Sequence, residues 1–218
     1  MPRTVLSALA LCLAATASAD EGDFVRLFDG KSLDGWTTEK GQPVTKGWVV
    51  EDGTLHRNER GGQIVSAREF DRFELHFDWK VETRGNSGVK YRLIPFNNRF
   101  WGCEYQLLDD ENHPNAKKES TSAGALYQLA EPKKDKKLNP AGEWNSSKIV
   151  VDGPRVEHWL NGELIVKVEV GSDQWKERLS RSKYRNVKGF GEPRKTKILL
   201  QDHGNKVWFR EIKVRELE

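Results

Sequence analysis

The chain has 218 residues, and its 36 basic and 33 acidic side chains give a formal net charge of +3. That length is enough for one ordinary domain with a sizeable core. A charge so close to balance gives no reason to expect a nucleic-acid partner, and we expect none.

The N-terminal segment predicts export. Arg3 precedes an apolar run over residues 5–17, and residues 1–19 match a secretory signal peptide that is cut after Ala19. The remaining residues, 20–218, carry a net charge of +2 and are predicted to form a single domain. No later stretch is apolar over the length that a membrane crossing needs. We therefore expect no membrane insertion and a periplasmic or extracellular location.

The cysteines predict a fold without disulfides. Cys12 lies in the predicted signal peptide, and Leu11 stands where a lipid-attachment signal needs a small residue, so we expect no lipid anchor. Cys103 is then the one cysteine of the mature chain, which leaves it without a partner for an intrachain disulfide. Its place next to Gly102 in a predicted strand, with no flanking base, predicts a small buried side chain rather than a catalytic thiol.

Short alternating runs predict an all-β protein. In residues 72–80, RFELHFDWK, apolar and polar residues alternate, which indicates a half-buried antiparallel strand. Asn161-Gly162 joins two such runs over 155–170 and predicts a two-residue hairpin turn. Further strands are predicted at 24–27, 47–58, 63–66, 87–94, 103–108, 125–129, 144–151, 196–201 and 206–216, with weak helical periodicity at 173–180. This pattern favours a concanavalin-like jelly-roll β-sandwich of two antiparallel sheets.

Two polar side chains fall in phase with apolar core positions. Arg210 alternates in step with Ile212, and a guanidinium on a core or cleft face needs a partner. His158 shares its phase with Leu160. From that strand alone, a core histidine satisfied by a backbone carbonyl is the favoured interpretation.

Two further strands each have one polar face. Glu104 and Gln106 share a face, with Asp109 just past the strand end, and Lys90 and Arg92 share a face of their own strand. Such faces line either solvent or a polar cleft on one sheet of a sandwich.

A turn adds more polar groups. Gln201, Asp202 and His203 come just before the strand that carries Arg210. Asp202 has an alternative role in capping the chain reversal. Several such features in one sandwich predict a common site.

The spacing of Glu104 and Asp109 also suggests ordinary retaining hydrolysis, in which two carboxyls lie about 5 Å apart. Gln106 stands between them, and an amide does not tune such a pair electrostatically. This alternative therefore stays open but weakened.

Several segments together resemble a known family. They are GWVVEDGTLHR, FELHFDWKVETRGNSGVKYRL, EYQLLDDENHPNA, GEWNSSKIVVDGPRVEHWLNGE and ILLQDHGNKVWFREIKVREL. They resemble the bacterial 3-keto-disaccharide hydrolase domain family, long a family of unknown function with a concanavalin-like jelly-roll fold. The resemblance covers about residues 24–217. The most specific motifs are Asn86-Ser87-Gly88, the strand 104–109, and the segments 158–162 and 200–204.

The resemblance implies an enzyme that cleaves glycosides already oxidised at C3. The 3-keto group acidifies the proton on C2, so a base can remove it, and the enolate then expels the C1 substituent before water completes a net hydrolysis. His158 or His203 is predicted as the base, oriented by Asp202 or Glu104. These four residues form the predicted catalytic set.

Binding roles follow from the same resemblance. Arg92, Arg210 or a divalent cation would hold the enolate. The predicted substrate-binding residues are Arg92, Gln106, Asp109, Gln201, Arg210 and Trp159, and the candidate ligands of a metal are Glu104, Asp109, His113 and His203. Asp109 is expected to point into a sugar cleft, with Asp110 and Glu111 in solvent. A non-catalytic carbohydrate-binding module is the third hypothesis, because jelly rolls host lectins as readily as enzymes.

Overall fold

The computed structural model describes residues 23–218, which form two antiparallel β-sheets packed face to face. The predicted signal peptide lies outside the described residues. The strands are β1 (Val25–Arg26), β2 (Trp36–Thr38), β3 (Trp48–Glu51), β4 (Thr54–Arg57), β5 (Ile64–Phe70), β6 (Phe73–Val81), β7 (Asn86–Phe96), β8 (Arg99–Leu108), β9 (Asn145–Asp152), β10 (Arg155–Leu160), β11 (Glu163–Glu169), β12 (Thr196–Leu200) and β13 (Val207–Glu216). The predicted all-β sandwich is confirmed.

The larger sheet runs in the spatial order β11-β10-β9-β6-β13-β4-β3, with β1 paired to β13. The smaller sheet has the order β2-β5-β12-β7-β8. One α-helix, α1 (Asp173–Arg181), begins after Ser172, whose hydroxyl accepts the N–H of Trp175 at 3.2 Å. Within residues 23–218 no helix is long and apolar enough to cross a membrane.

The core lies between the sheets, as the alternation in β6 predicts. Phe73 and Phe77 of that strand are buried, whereas the polar residues between them are partly exposed on the other face. Phe77 meets Tyr105 of β8 edge to face, with ring centroids 5.6 Å apart, and Phe73 meets Tyr91 of β7 in the same way at 6.3 Å. These contacts join the two sheets and add to the burial of large aromatic surfaces.

One predicted hairpin turn is confirmed, whereas one predicted strand is replaced by a loop. Asn161 and Gly162 both have positive φ angles, 46° and 82°, as a two-residue hairpin turn requires. The strand predicted at 125–129 is wrong. Gln128 has a φ of 61°, and Leu126 donates its N–H to the carbonyl of Ala130, so the chain doubles back there as a loop.

A β-bulge in β13 moves Arg210 to the opposite face from the predicted one. Arg210 pairs with Asp78 and Lys213 with His76, so two residues, Glu211 and Ile212, oppose a single residue of β6. Glu211 takes up the extra length with a φ of 49°. Because a one-residue slip exchanges the two faces, Arg210 lies outside the sandwich while Ile212 is in the core.

The same kind of irregularity interrupts β7. Tyr91 pairs with Cys103 and Ile94 with Trp101, so the register shifts between them, and Arg92 lies there with a φ of 51°. The alternation that placed Arg92 beside Lys90 therefore fails after Tyr91.

Candidate active site

The polar face of the smaller sheet, turned away from the core, centres on Glu104. Glu104 of β8 stands opposite Lys90 of β7, and its Oε2 lies 3.6 Å from the lysine Nζ. The Glu104 side chain is only 4% exposed. Its carboxylate lies over Gly88 of the neighbouring strand, where a Cβ would come within 2.5 Å of Oε1. A glycine is thus required at this position for the carboxylate to lie flat on the sheet.

A loop covers this carboxylate from the edge of the sheet. Tyr127 donates its N–H to the carbonyl of Glu104 at 3.0 Å, and Gln106 donates its N–H to Ala125 at 3.1 Å. Burial raises the pKa of Tyr127, and the negative charge of Glu104 raises it further. The loop over 120–130 therefore pairs with β8 at Glu104 and brings a neutral phenol near its carboxylate.

An open cleft of about 310 Å³ extends from this point across the smaller sheet. We call it the outer cleft, and its lining includes Gln63, Lys90, Arg99, Trp101, Lys183 and His203. Lys90 lines the cleft and also pairs with Glu104, so the carboxylate lies directly behind a residue of the cleft lining.

Buried hydrogen-bonding atoms at this face lack partners. The side-chain oxygens of Gln63, Gln106 and Gln201 and the indole Nε1 of Trp101 are buried without a hydrogen-bond partner among residues 23–218. Folded proteins satisfy the large majority of such atoms, because an unpaired one costs free energy. Gln63, Gln201 and Trp101 all line the outer cleft, so the unpaired groups mark where a polar ligand would bind.

Lys183 supplies a second lysine ammonium to the outer cleft, in addition to that of Lys90. Its Nζ lies 4.2 Å from the ring centroid of Tyr127, 5.0 Å from that of Tyr184 and 5.6 Å from that of Trp101. Burial lowers the pKa of Lys183, the charge of Glu104 opposes that change, and Lys90 adds to it.

His203 and His113 stand at one end of this face. His203 is exposed and lines the outer cleft. His113 accepts the N–H of Asn115 at its Nδ1 atom, 3.1 Å away, and its Nε2 lies 3.5 Å from the amide of Asn86. Burial lowers the pKa of His113, and the nearby His203 and Arg84 lower it further. The two imidazoles are thus close enough to interact.

Asp202 does not have the orienting role predicted for it. Its carboxylate pairs with Arg57, accepts the N–H groups of Gly61 and Gly62 at 3.1 and 2.9 Å, and accepts that of Gly204 at 3.1 Å. Burial alone would raise the pKa of Asp202, but these donors lower it on balance. Asp202 therefore joins two loops beside the cleft, in keeping with the turn-capping alternative.

Asp109 is likewise occupied within the chain. Its Oδ2 accepts the N–H of Arg84 at 2.7 Å, and its Oδ1 accepts those of Glu111 and Asn112 at 3.1 and 3.2 Å. Burial acts to raise the pKa of Asp109, yet these hydrogen bonds lower it overall. The carboxylate caps the chain reversal after β8 and is not free to attack or protonate a sugar, so the predicted Glu104–Asp109 pair is not assembled.

The expectation that Asp110 lies in solvent is wrong. Its Oδ2 lies 2.8 Å from the Nζ of Lys136, and its Oδ1 accepts the N–H of Ala123 at 2.8 Å. Lys136 is 10% exposed, and burial lowers its pKa while Asp110 opposes that change. Of the acidic cluster, Glu111 is the member exposed as expected.

His158 lies in the core, away from the cleft. It is 0% exposed; its Nδ1 lies 2.9 Å from the carbonyl of Gly124 and its Nε2 lies 2.8 Å from the hydroxyl of Tyr91. Burial lowers the pKa of His158 to about 4, so it is neutral near pH 7. A substrate cannot reach it, and the core-histidine interpretation replaces the catalytic one.

Arg92 is also a structural residue. It is 1% exposed and donates to the carbonyls of Gly191, at 2.9 Å, and Gly153. It therefore holds two loops together rather than binding an enolate.

Arg210 and Trp159 lie on the outer face of the larger sheet, on the other side of the sandwich from Glu104. Arg210 donates to Asp78 at 3.0 Å. The Trp159 indole donates to Glu157 at 3.1 Å, and the Nζ of Lys148 lies 4.0 Å from its ring centroid. Neither residue joins the outer cleft.

Of the predicted site residues, the structure brings Glu104, Gln106, Gln201 and His203 to one face. The prediction missed the roles of Lys183, Arg99 and Trp101, since nothing in their local sequence indicates the long-range contacts they make. Lys90 was placed on the polar face but not in the predicted site. No group of three or more His, Cys, Asp or Glu side chains within 23–218 converges on one point where a metal would sit.

Comparison with known proteins identifies the family of this chain. Residues 23–215 match the model of the 3-keto-alpha-glucoside-1,2-lyase-like domain. The chain belongs to this family. A curated relative, the 3-keto-disaccharide hydrolase of Bacteroides thetaiotaomicron, is 32% identical over 233 residues that cover 91% of this chain and 80% of the relative. Membership in this family supports a glycoside hydrolase-like enzyme.

Solved structures agree with this assignment. A candidate glycosyl hydrolase from Parabacteroides distasonis is 35% identical, with a TM-score of 0.81 over 90% of this chain and 94% of that one. A second protein of the same description and organism is 26% identical, with a TM-score of 0.69 over 89% and 99% of the two chains. A carbohydrate-binding module from Bacillus subtilis, 13% identical with a TM-score of 0.53 over 84% and 96%, shares the fold alone.

Proposed function

We propose that this enzyme cleaves 3-keto-glycosides in the outer cleft, with Glu104 as the base that removes the proton on C2. The observation that carries the proposal is the state of the Glu104 carboxylate. It is buried, it faces Lys90 at 3.6 Å, and no hydrogen-bond donor among residues 23–218 occupies its oxygens. A carboxylate whose oxygens carry no hydrogen-bond donor has both of them available to accept a proton from a bound sugar.

Positive charge in the cleft can stabilise the negative charge that the first step of the reaction creates. Removal of the C2 proton moves its electron pair into a C2–C3 double bond and places negative charge on the C3 oxygen. Lys90 lies beside the base, with its Nζ 3.6 Å from the Glu104 Oε2. Positive charge fixed beside the reacting atoms stabilises such an enolate.

The enolate then eliminates the substituent at C1. The double bond shifts to C1–C2, the C3 carbonyl re-forms, and the C1–O bond breaks with its electrons on the leaving oxygen. We assign the proton for that oxygen to His203, whose exposed imidazole lines the cleft. Addition of water, with hydroxyl at C1 and a proton at C2, completes the net hydrolysis. A reaction that stops before this addition is a 1,2-elimination.

The amides of the cleft are assigned to the sugar hydroxyls. The unpaired oxygens of Gln63 and Gln201 offer acceptors along the cleft. A hydroxyl-bearing ring would satisfy them, whereas an apolar ligand would leave them unpaired.

The test follows the C2 hydrogen. We expect the enzyme, incubated with a 3-keto-glucoside in deuterated water, to release a hydrolysis product with deuterium at C2 or an elimination product that has lost the C2 hydrogen. Glu104→Gln is expected to abolish turnover, since an amide cannot accept the proton. Glu111→Gln, which removes an exposed carboxylate of the adjacent loop, is the matched control and should retain activity. A hydrolysis product that keeps its original C2 hydrogen would overturn the proposal in favour of direct displacement at C1.

We also propose that the enzyme is exported. The signal-like segment at residues 1–19 supports this proposal. N-terminal sequencing of the mature protein from the producing cell should begin at Asp20, and a mature chain that begins at Met1 would contradict it.

A further inference from the structure

Two cations of the outer cleft, Arg99 and Lys183, have no ion-pair partner among residues 23–218. The other charged groups of the cleft are matched, because Lys90 faces Glu104 and Asp202 faces Arg57. The enolate of the proposed reaction forms beside Glu104, where Lys90 is already in place. Arg99 and Lys183 therefore add positive charge beyond what that step requires.

The protein holds these like charges close together. Arg99 and Lys90 both disfavour the ammonium form of Lys183, in addition to its partial burial. Lys183 does not lie against a carboxylate but over the ring of Tyr127, at 4.2 Å. Repulsion between fixed cations is relieved when an anion binds between them.

Trp101 adds an unpaired donor to the same corner. Its Nε1 is buried and has no acceptor within 23–218. Its ring meets Phe96 edge to face, with centroids 5.7 Å apart, and meets Tyr184 in the same way at 5.4 Å, so the indole is held in place. The corner is thus lined by Arg99, Trp101 and Lys183, which bring a guanidinium, an ammonium and a buried, unpaired indole N–H together.

We propose that this corner, formed by Arg99, Trp101 and Lys183, binds a carboxylate carried by the substrate, so that the preferred substrates are anionic 3-keto-glycosides. The inference rests on the proposed function for the keto sugar itself. A carboxylate accepts several hydrogen bonds at once and cancels the surplus charge. It can belong to the leaving group or to C6 of the cleaved ring, and the experiment distinguishes these two sources.

The test is direct binding of unoxidised, unreactive probes, which separates recognition from chemistry. Calorimetry would compare 4-carboxyphenyl glucoside, phenyl glucuronide and neutral phenyl glucoside. We expect one of the two carboxylates to bind about tenfold more tightly than the neutral probe, since hydrogen bonds to charged groups exceed neutral ones. The preference should shrink in 1 M salt, where charges are screened over about 3 Å. The tighter of the two probes identifies the source of the carboxylate.

Two variants test whether the preference for a carboxylate probe arises from this corner of the cleft. Arg99→Gln should remove most of the preference for the carboxylate. Lys188→Gln removes the same charge from an exposed position of the loop that carries Lys183, outside the cleft lining, and should keep the preference. A neutral probe that binds as tightly as both carboxylates overturns the inference, as does a preference that Lys188→Gln reduces as much as Arg99→Gln.

Failure of the inference is distinct from failure of the proposed function. Cleavage of neutral 3-keto-phenyl glucoside without any preference among the binding probes would leave the function standing and reject the carboxylate site. Selective binding of a carboxylate together with no cleavage of any 3-keto probe would support the carboxylate site and reject the proposed function.

Discussion

The Glu104 carboxylate lies over Gly88, so closely that a Cβ at residue 88 would approach its Oε1 to 2.5 Å. The nearest atoms all belong to the glutamate side chain, which would have to move away. Gly88→Ala should therefore displace the base without breaking the strand pairing around it. A displacement of about 1 Å in an active site lowers turnover about a hundredfold. Steady-state kinetics on a 3-keto-glucoside, with thermal unfolding to confirm the fold, measures this effect.

A double mutant separates this effect from a general one. If Gly88 acts only through the carboxylate, Gly88→Ala combined with Glu104→Gln should be no slower than Glu104→Gln alone. Additive losses would show that Gly88 contributes by another route.

Sequence pattern predicted the fold and four residues on the face of the candidate site, and bulges explain part of the rest. Glu104 and Gln106 alternate regularly in β8, so their shared outward face could be predicted. Arg92 and Arg210 lie in strands where an extra residue exchanges the faces, and no pattern of apolar residues announces where that residue is inserted. Lys183 reaches the cleft from a loop that is distant in sequence, which a strand-by-strand analysis cannot detect.

The Asp110–Lys136 pair is predicted to stabilise the loop after β8. Asp110→Asn would leave the ammonium of Lys136, which is 10% exposed, without its carboxylate at 2.8 Å. Breaking one side of a largely buried pair is costly, and we expect a loss of about 3 kcal/mol in the free energy of unfolding. Urea unfolding checks this value. Glu111→Gln, next in the sequence but exposed, should change stability by less than about 0.5 kcal/mol.

Asp202 gives a test that separates support of the fold from catalysis. Asp202→Asn would keep the shape of the side chain but would weaken its bonds to Arg57 and to the N–H groups of Gly61 and Gly62. We expect a clear fall in the melting temperature, because charge-assisted hydrogen bonds are lost. The pH dependence of kcat should keep its shape, since no proton passes through this residue. A changed pH profile with unchanged stability would instead restore the catalytic role that the sequence suggested.

His158 should make the stability of the protein fall as the pH is lowered. Burial depresses its pKa to about 4, whereas the same group in the unfolded chain has a pKa near 6.5. Between these values the unfolded chain binds the proton and the folded protein does not, so acid favours unfolding. From pH 7.5 to pH 5 this one group should remove about 2 kcal/mol of stability.

His158→Gln tests this origin directly. The variant should be less stable than the wild type at pH 7.5 by about 1–3 kcal/mol, because the partners of the imidazole, Tyr91 and Gly124, are left poorly satisfied. It should also lose the part of the pH dependence that belongs to His158, so the gap between the two proteins should narrow by about 2 kcal/mol at pH 5. Urea unfolding at both pH values measures the gap. His56 and His113, whose pKa values burial also lowers, are present in both proteins and cancel in the comparison. A constant gap across this range would mean that His158 has the same pKa in the folded protein as in the unfolded chain.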